Sequence, residues 1–257
     1  MQKTLEGFVR LGYVAKAAVY LLIGTLALRV AIGMRGGRIT DPGGALAVAL
    51  HHPNGRIHVL IIAIGLLMYA AWHIASAVLG RRRHAYEGWG TRASSIVRAL
   101  GYGAIGVQAM KLGLGLGRSR GGPEPLVRAA LQWPFGAWLV LVVGAAAAFY
   151  GILQIRHAIN GHLEPDLDAS TLRSNAGTWA LDVARAGIVA RAVVLFLLAV
   201  GVIRAALVHR ASAAGGMDHS LSLLNSLPSG SIFLGLAAAG LFAYGVYQLL
   251  HARYARI

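Results

Sequence analysis

Three polar stripes interrupt the apolar runs of this chain, and any chemistry must be sought there first. "FYGILQIRHA" carries Tyr150, Gln154 and His157, "AYGVYQLLHA" carries Tyr244, Gln248 and His251, and an earlier segment answers with Tyr69, His73 and Ser76. Spacing of i, i+4 and i+7 puts each trio on one helical face. Turned inward, such faces build a polar cluster toward the cytoplasmic end of a bundle, able to bind a small ligand or relay a proton through histidine. Turned against neighbouring helices, the same Tyr and Gln hydrogen-bond between helices, and a last-turn His favours the negative end of the helix dipole. The second use is the commoner one, but it does not by itself explain a glutamine in mid-stripe.

A second set is formed by Arg29, Arg118 and Arg204, each following an apolar run, with one acid in each loop beyond: Asp41, Glu124 and Asp218. The planar guanidinium suits a bidentate carboxylate pair, so three local Arg–acid pairs are predicted to pin the loops over the bundle mouth. The alternative is an arginine ring that attracts an anion or an acidic headgroup, with charge left over on Arg35, Arg38 or Arg120. Bis-histidine haem ligation between His73 and His157 or His251 is a remote further possibility. The remaining histidines form no ligand motif, so no metal or cofactor is expected. Lys111 lies about six residues, or on the order of 9 Å, from the end of its apolar run and is predicted to snorkel. Glu164, Asp166 and Asp168 in "HLEPDLDAS" read as a solvated linker that caps the next helix. There is no Gly-rich phosphate loop, no "HExxH" and no serine nucleophile motif, so no enzyme is expected.

The elements that position these residues are membrane helices. Of 257 residues 57% are hydrophobic and only 13% charged, and the apolar residues gather in runs of about twenty, enough to cross a hydrocarbon core. Six spans are predicted, over 11–33, 57–79, 97–117, 136–156, 186–208 and 231–251, all helical because lipid offers no partner to an open backbone. The net charge of +15 would suggest nucleic acid in a soluble protein. Here the basic residues flank apolar spans, which excludes that partner and makes the bilayer the expected one. The N-terminus, the two long linkers and the C-terminus hold fourteen Lys and Arg and the alternate connections nine, so both termini are predicted in the cytoplasm. Cysteine is absent, which removes disulfides, thiolate ligands and a cysteine nucleophile.

Internal repetition organises the spans. "RLGYVAKAAVYLLIG" from Arg10 returns as "RAGIVARAVVLFLLA" from Arg185, so that Gly12 matches Gly187, Lys16 matches Arg191, Pro53 matches Pro228 and Tyr69 matches Tyr244 at one shift of 175. A middle copy aligns Gly101 and Arg118 with Gly12 and Arg29, and Pro134, Gly136, Tyr150, Gln154 and His157 with the third copy. Each copy reads as helix, outer loop, short amphipathic segment and second helix, with Pro-x-Gly at the turn. The predicted architecture is an all-α integral membrane protein of six transmembrane helices. They form three parallel hairpin repeats, over 1–80, 96–158 and 183–257, joined by cytoplasmic linkers 81–95 and 159–182. Closure of the hairpins about a pseudo-threefold axis is expected.

The basic-x-Gly start of the first helices (Arg10 to Gly12, Arg185 to Gly187), the "GAL…L…P-x-G" loop and the "AYG" run at Ala243 resemble the bacterial membrane proteins grouped as domain of unknown function 1206, described as tandem two-helix repeats. The resemblance covers nearly the whole chain. It implies the fold and a place in the bacterial inner membrane, and it brings no activity. The middle copy departs from it, since Ile105 stands where Lys16 and Arg191 stand. The expected function is that of a non-enzymatic accessory or structural membrane protein, packed against lipid or a larger membrane complex. The alternative is a small-solute or ion-handling protein whose path is lined by the Tyr, Gln and His stripes.

Overall fold

The computed structural model describes residues 2–79, 89–117, 122–160 and 177–254, without the side chains of residues 2–6, 8, 79 and 89–94. Arg118, Arg120 and the acidic run Glu164, Asp166 and Asp168 lie outside the described residues. Described residues in regular structure are helical throughout. Six long helices are α1 (Gln2–Ala31), α3 (Gly55–Leu79), α4 (Trp89–Gly113), α6 (Gly136–Ile159), α7 (Thr178–Leu207) and α9 (Gly230–Tyr254), with short helices α2 (Pro42–Ala49), α5 (Glu124–Leu131) and α8 (Met217–Asn225) between them.

Five of the long helices are long and apolar enough to cross a membrane, with segments Val9–Ala31, Gly55–Val78, Gly136–Ile159, Thr178–Leu207 and Gly230–Tyr254. The chain is therefore a multi-pass membrane protein. Helix α4 is long enough but falls short in apolarity, because Arg92, Arg98, Gln108, Lys111 and several glycines dilute it. Lys111 is exposed in its last turn.

The Pro-x-Gly turns have one physical cause in all three places. A Cβ on Gly55, Gly136 or Gly230 would collide with a carbonyl oxygen of the preceding short helix, that of Ala49, Ala130 and Asn225 respectively. Only glycine lets the long helix start this close to the short one.

Packing among the long helices departs from the predicted closure. Helix α1 packs along both α3 and α9, α7 packs along α6 and α9, and α4 packs along α3. The hairpins α1/α3 and α7/α9 are thus closed, whereas α4 and α6 do not pack along each other. The helices form an arc in the order α4, α3, α1, α9, α7, α6, with α4 and α6 at its two ends. Three glycines at equivalent positions record the difference. A Cβ on Gly12 would lie 2.7 Å from Tyr69 Cβ, and one on Gly187 would lie 2.6 Å from Tyr244 Cα, but among the described residues one on Gly101 meets nothing within 4 Å.

Candidate functional site

Tyr13, Lys16 and Tyr20 share one face of α1, at i, i+3 and i+7, and this face meets the second helices of the first and third copies. Lys16 is 2% exposed. Its Nζ lies 5.0 Å from the Tyr102 ring centroid, 5.3 Å from those of Tyr69 and Tyr244 and 5.9 Å from that of Tyr13. Four rings thus line the surroundings of the ammonium, and a desolvated cation–π contact contributes about 2 kcal/mol or more. Arg191, at the equivalent position on α7, places Cζ 5.1 Å from the same Tyr244 ring.

These cations sit in the two hairpins that close. In the first copy Lys16 clasps Tyr69 of its own second helix, and in the third Arg191 clasps Tyr244. The middle copy offers Ile105 at that position; there Arg98 of α4 reaches the Tyr150 hydroxyl, and the two helices do not pack along each other.

Arg191 then ties the three copies together. Its Nε donates to Tyr20 Oη at 3.1 Å and its Nη1 to Gln154 Oε1 at 2.9 Å. Gln154 Nε2 donates to Tyr150 Oη at 3.0 Å, and Arg98 Nη2 reaches the same hydroxyl at 3.5 Å. Tyr20 and Tyr102 share a longer hydroxyl contact of 3.4 Å. Side chains from α1, α4, α6 and α7 form one circuit, with Tyr20 and Tyr102 buried and Arg98, Tyr150, Gln154 and Arg191 half-buried. Among the described residues no carboxylate accepts from Arg191; its acceptors are a phenol and an amide.

One and two turns further along α9 lies a second group. His251 stacks on Tyr13 with ring centroids 4.2 Å apart and an interplanar angle of 15°, and Tyr247 leans on it from 5.7 Å. Gln248 is 0% exposed, and neither polar atom of its amide has a hydrogen-bond partner among the described residues. In the first copy His73 lies edge-on to Tyr69 at 4.4 Å. Tyr69, Tyr150, Gln154 and Tyr244 of the predicted stripes therefore meet in or beside one cluster, while His157 is exposed near the end of α6. The described residues hold no group of three or more His, Asp or Glu placed to share a metal.

Among the described residues the predicted pairs Arg29–Asp41 and Arg204–Asp218 do not form, and Arg118 lies outside them. Glu124 pairs with Arg128, one turn apart and largely exposed. Asp41 instead accepts from Gly44 N at 2.7 Å as the N-cap of α2, a local bond that needs no long side chain to be ordered. Asp41 and Asp218 line one depression with Arg38 and His51, away from Arg29 and Arg204. Burial pushes the Asp41 carboxyl above its ordinary 3.8, and Asp218 adds to the rise. A carboxyl whose folded value is raised costs stability once pH exceeds the unfolded value. Asp41→Asn keeps the cap and is expected to raise the melting temperature at neutral pH, a gain that disappears in melts below about pH 4.

Reading the stripes alone missed Tyr13, Tyr20, Arg98 and Tyr102, and saw Lys16 and Arg191 only as matching letters of a repeat. The available signal was the repeat position itself, a basic residue at one place in two copies, flanked on α1 by Tyr at i−3 and i+4.

The sequence profile of the family described as Domain of Unknown Function (DUF1206) matches the chain three times, over residues 11–80, 93–161 and 186–255. An "Uncharacterized protein YxxB" of Bacillus subtilis (strain 168) is 29% identical over 252 residues, covering 97% of this chain and 91% of its own. No solved structure matches the chain.

Proposed function

This chain belongs to the family described as Domain of Unknown Function (DUF1206), and from its three copies we propose a non-enzymatic membrane protein that holds an anionic group at Arg191. In this reading α4 is the sixth crossing, since it runs beside α3. Both termini then face the cytoplasm of a bacterial inner membrane, the side that the excess of Lys and Arg favours.

One observation carries the proposal: a guanidinium inside an apolar helix, half-buried, with only neutral acceptors. An ionised side chain within a membrane bundle is costly and marks function by default. Tyr20 and Gln154 fix the fork, and an incoming anion would meet charge-assisted donors already oriented. Lys16, which shares the Tyr244 ring with Arg191, adds to the positive field.

Native mass spectrometry on protein extracted gently from its own membrane tests this reading. The wild type is expected to carry a 1:1 non-protein anionic adduct that Arg191→Gln lacks. A bare wild type, or the same adduct in both proteins, would sink it. The accessory reading is favoured by a different observation, the sealing of Gln248 at 0% exposure away from any open path. A stoichiometric protein partner that stays bound to Arg191→Gln would move the function to that complex.

A further inference from the structure

Building on the anion site at Arg191, we propose that its ligand is an anionic amphiphile that enters sideways from the bilayer, between α4 and α6. Arg98, Gly101, Ile105 and Gln108 share one stripe of α4, at i, i+3, i+7 and i+10. Arg98 reaches Tyr150 on α6, so this stripe faces α6. It faces across an opening, because the two helices do not pack along each other and, among the described residues, nothing lies within 4 Å of a Cβ built on Gly101.

The opening is polar at one end and apolar along the rest. Arg98, Tyr150, Gln154 and Arg191 gather at the polar end, all half-buried where Lys16 of the first copy is sealed. Helix α6 runs antiparallel to α4, so the residues one and two turns before Tyr150 on its stripe, Ala147 and Val143, come opposite Gly101 and Ile105. Val143 is 56% exposed. Two guanidinium groups with phenol and amide donors suit a phosphate or carboxylate headgroup, and a slot walled by Gly, Ala, Val and Ile suits one acyl chain. A lipid-borne headgroup also stays near the required depth. Helix α7 has 30 residues, about 45 Å against a core of about 30 Å, so its first turns project beyond the hydrocarbon and Arg191 lies close below the interface.

The full chain is delipidated and titrated in native mass spectrometry with dioleoyl phosphatidic acid, dioleoyl phosphatidylcholine or inorganic phosphate. Phosphatidic acid is expected to bind the wild type about tenfold more tightly than either competitor. Gly101→Leu, which fills the slot without touching the circuit, is expected to lose about tenfold in that affinity, and Arg191→Gln to lose at least as much. Gly101→Ala serves as the folding control and is expected to keep most of the binding.

If Gly101→Leu binds phosphatidic acid like the wild type while Arg191→Gln does not, the anion site stands and the lateral route falls. If inorganic phosphate binds as tightly as the lipid, the ligand is a free anion and the acyl slot is irrelevant. If Arg191→Gln binds like the wild type, or phosphatidylcholine equals phosphatidic acid, the anion site itself is wrong and the route goes with it.

Discussion

Gly187→Leu is expected to lose most of the folded protein, while Gly101→Leu, at the equivalent position of the middle copy, folds normally. A side chain on Gly187 would be driven into the backbone of Tyr244 and Ala243, with its Cβ 2.5 Å from Tyr244 N. Overpacking of a close helix contact costs typically 1–3 kcal/mol and more when backbone is the obstacle, and membrane helices depend on such small-residue contacts for their association. Forcing the two helices apart would also draw Tyr244 away from Arg191. At Gly101 no atom of the described residues stands in the way, and exchanging glycine for leucine in a helix is favourable by roughly 0.5–1 kcal/mol. Thermal unfolding in detergent, followed by tryptophan fluorescence, measures the contrast. Equal losses at the two glycines would mean that the middle hairpin is closed like the others.

The second large contrast is between two glutamines at equivalent repeat positions. Gln154→Leu removes the acceptor of Arg191 Nη1 and the donor to Tyr150. Leaving a half-buried guanidinium with a lost partner is expected to cost about 2–3 kcal/mol. Gln248→Leu removes an amide that is sealed at 0% exposure with neither polar atom bonded among the described residues. Replacing an unsatisfied buried polar group by an apolar one of similar volume is expected to stabilise by about 1 kcal/mol. Opposite signs in one series of denaturant or thermal midpoints are the result to look for. A loss at Gln248 as large as at Gln154 would show that its amide has a partner that the chain alone does not supply.

Much of the architecture was legible because the bilayer imposes so simple a rule. Apolar runs of helical length predict six spans; five of them are long and apolar enough to cross, and the run over α4 is interrupted by Arg98, Gln108 and Lys111. The Pro-x-Gly turns were legible as well, for three separate chain positions face the same carbonyl collision. The unequal closure of the hairpins was not. Gly12, Gly101 and Gly187 are one letter in an alignment of the copies, and what separates them is what lies opposite: Tyr69 or Tyr244 in two copies and no atom of the described residues in the third. The site was half legible. Periodicity found Tyr150, Gln154 and Tyr244 on the second helices, but basic residues near the starts of the first helices read equally well as flanking charge, so Lys16 and Arg191 gave no sign of pointing inward. The Arg–acid pairing failed for a local reason, since the open N–H groups at the start of α2 compete for Asp41 from three residues away.

The contact between α1 and α9 has a consequence for how the molecule is made. Helix α1 finds its most extensive neighbour in α9, more than 200 residues later in the chain, so Lys16 must enter the bilayer long before Tyr244 is available to shield it. Until α9 is made, Tyr69 of α3 and Tyr102 of α4 must cover the cation without Tyr244. The interval is one of long-range closure, slow by the same logic that slows any fold dominated by distant contacts, and the nascent chain is exposed to quality control throughout it. A circularly permuted gene that opens the chain between α6 and α7 would bring the two helices into succession and shorten that exposure.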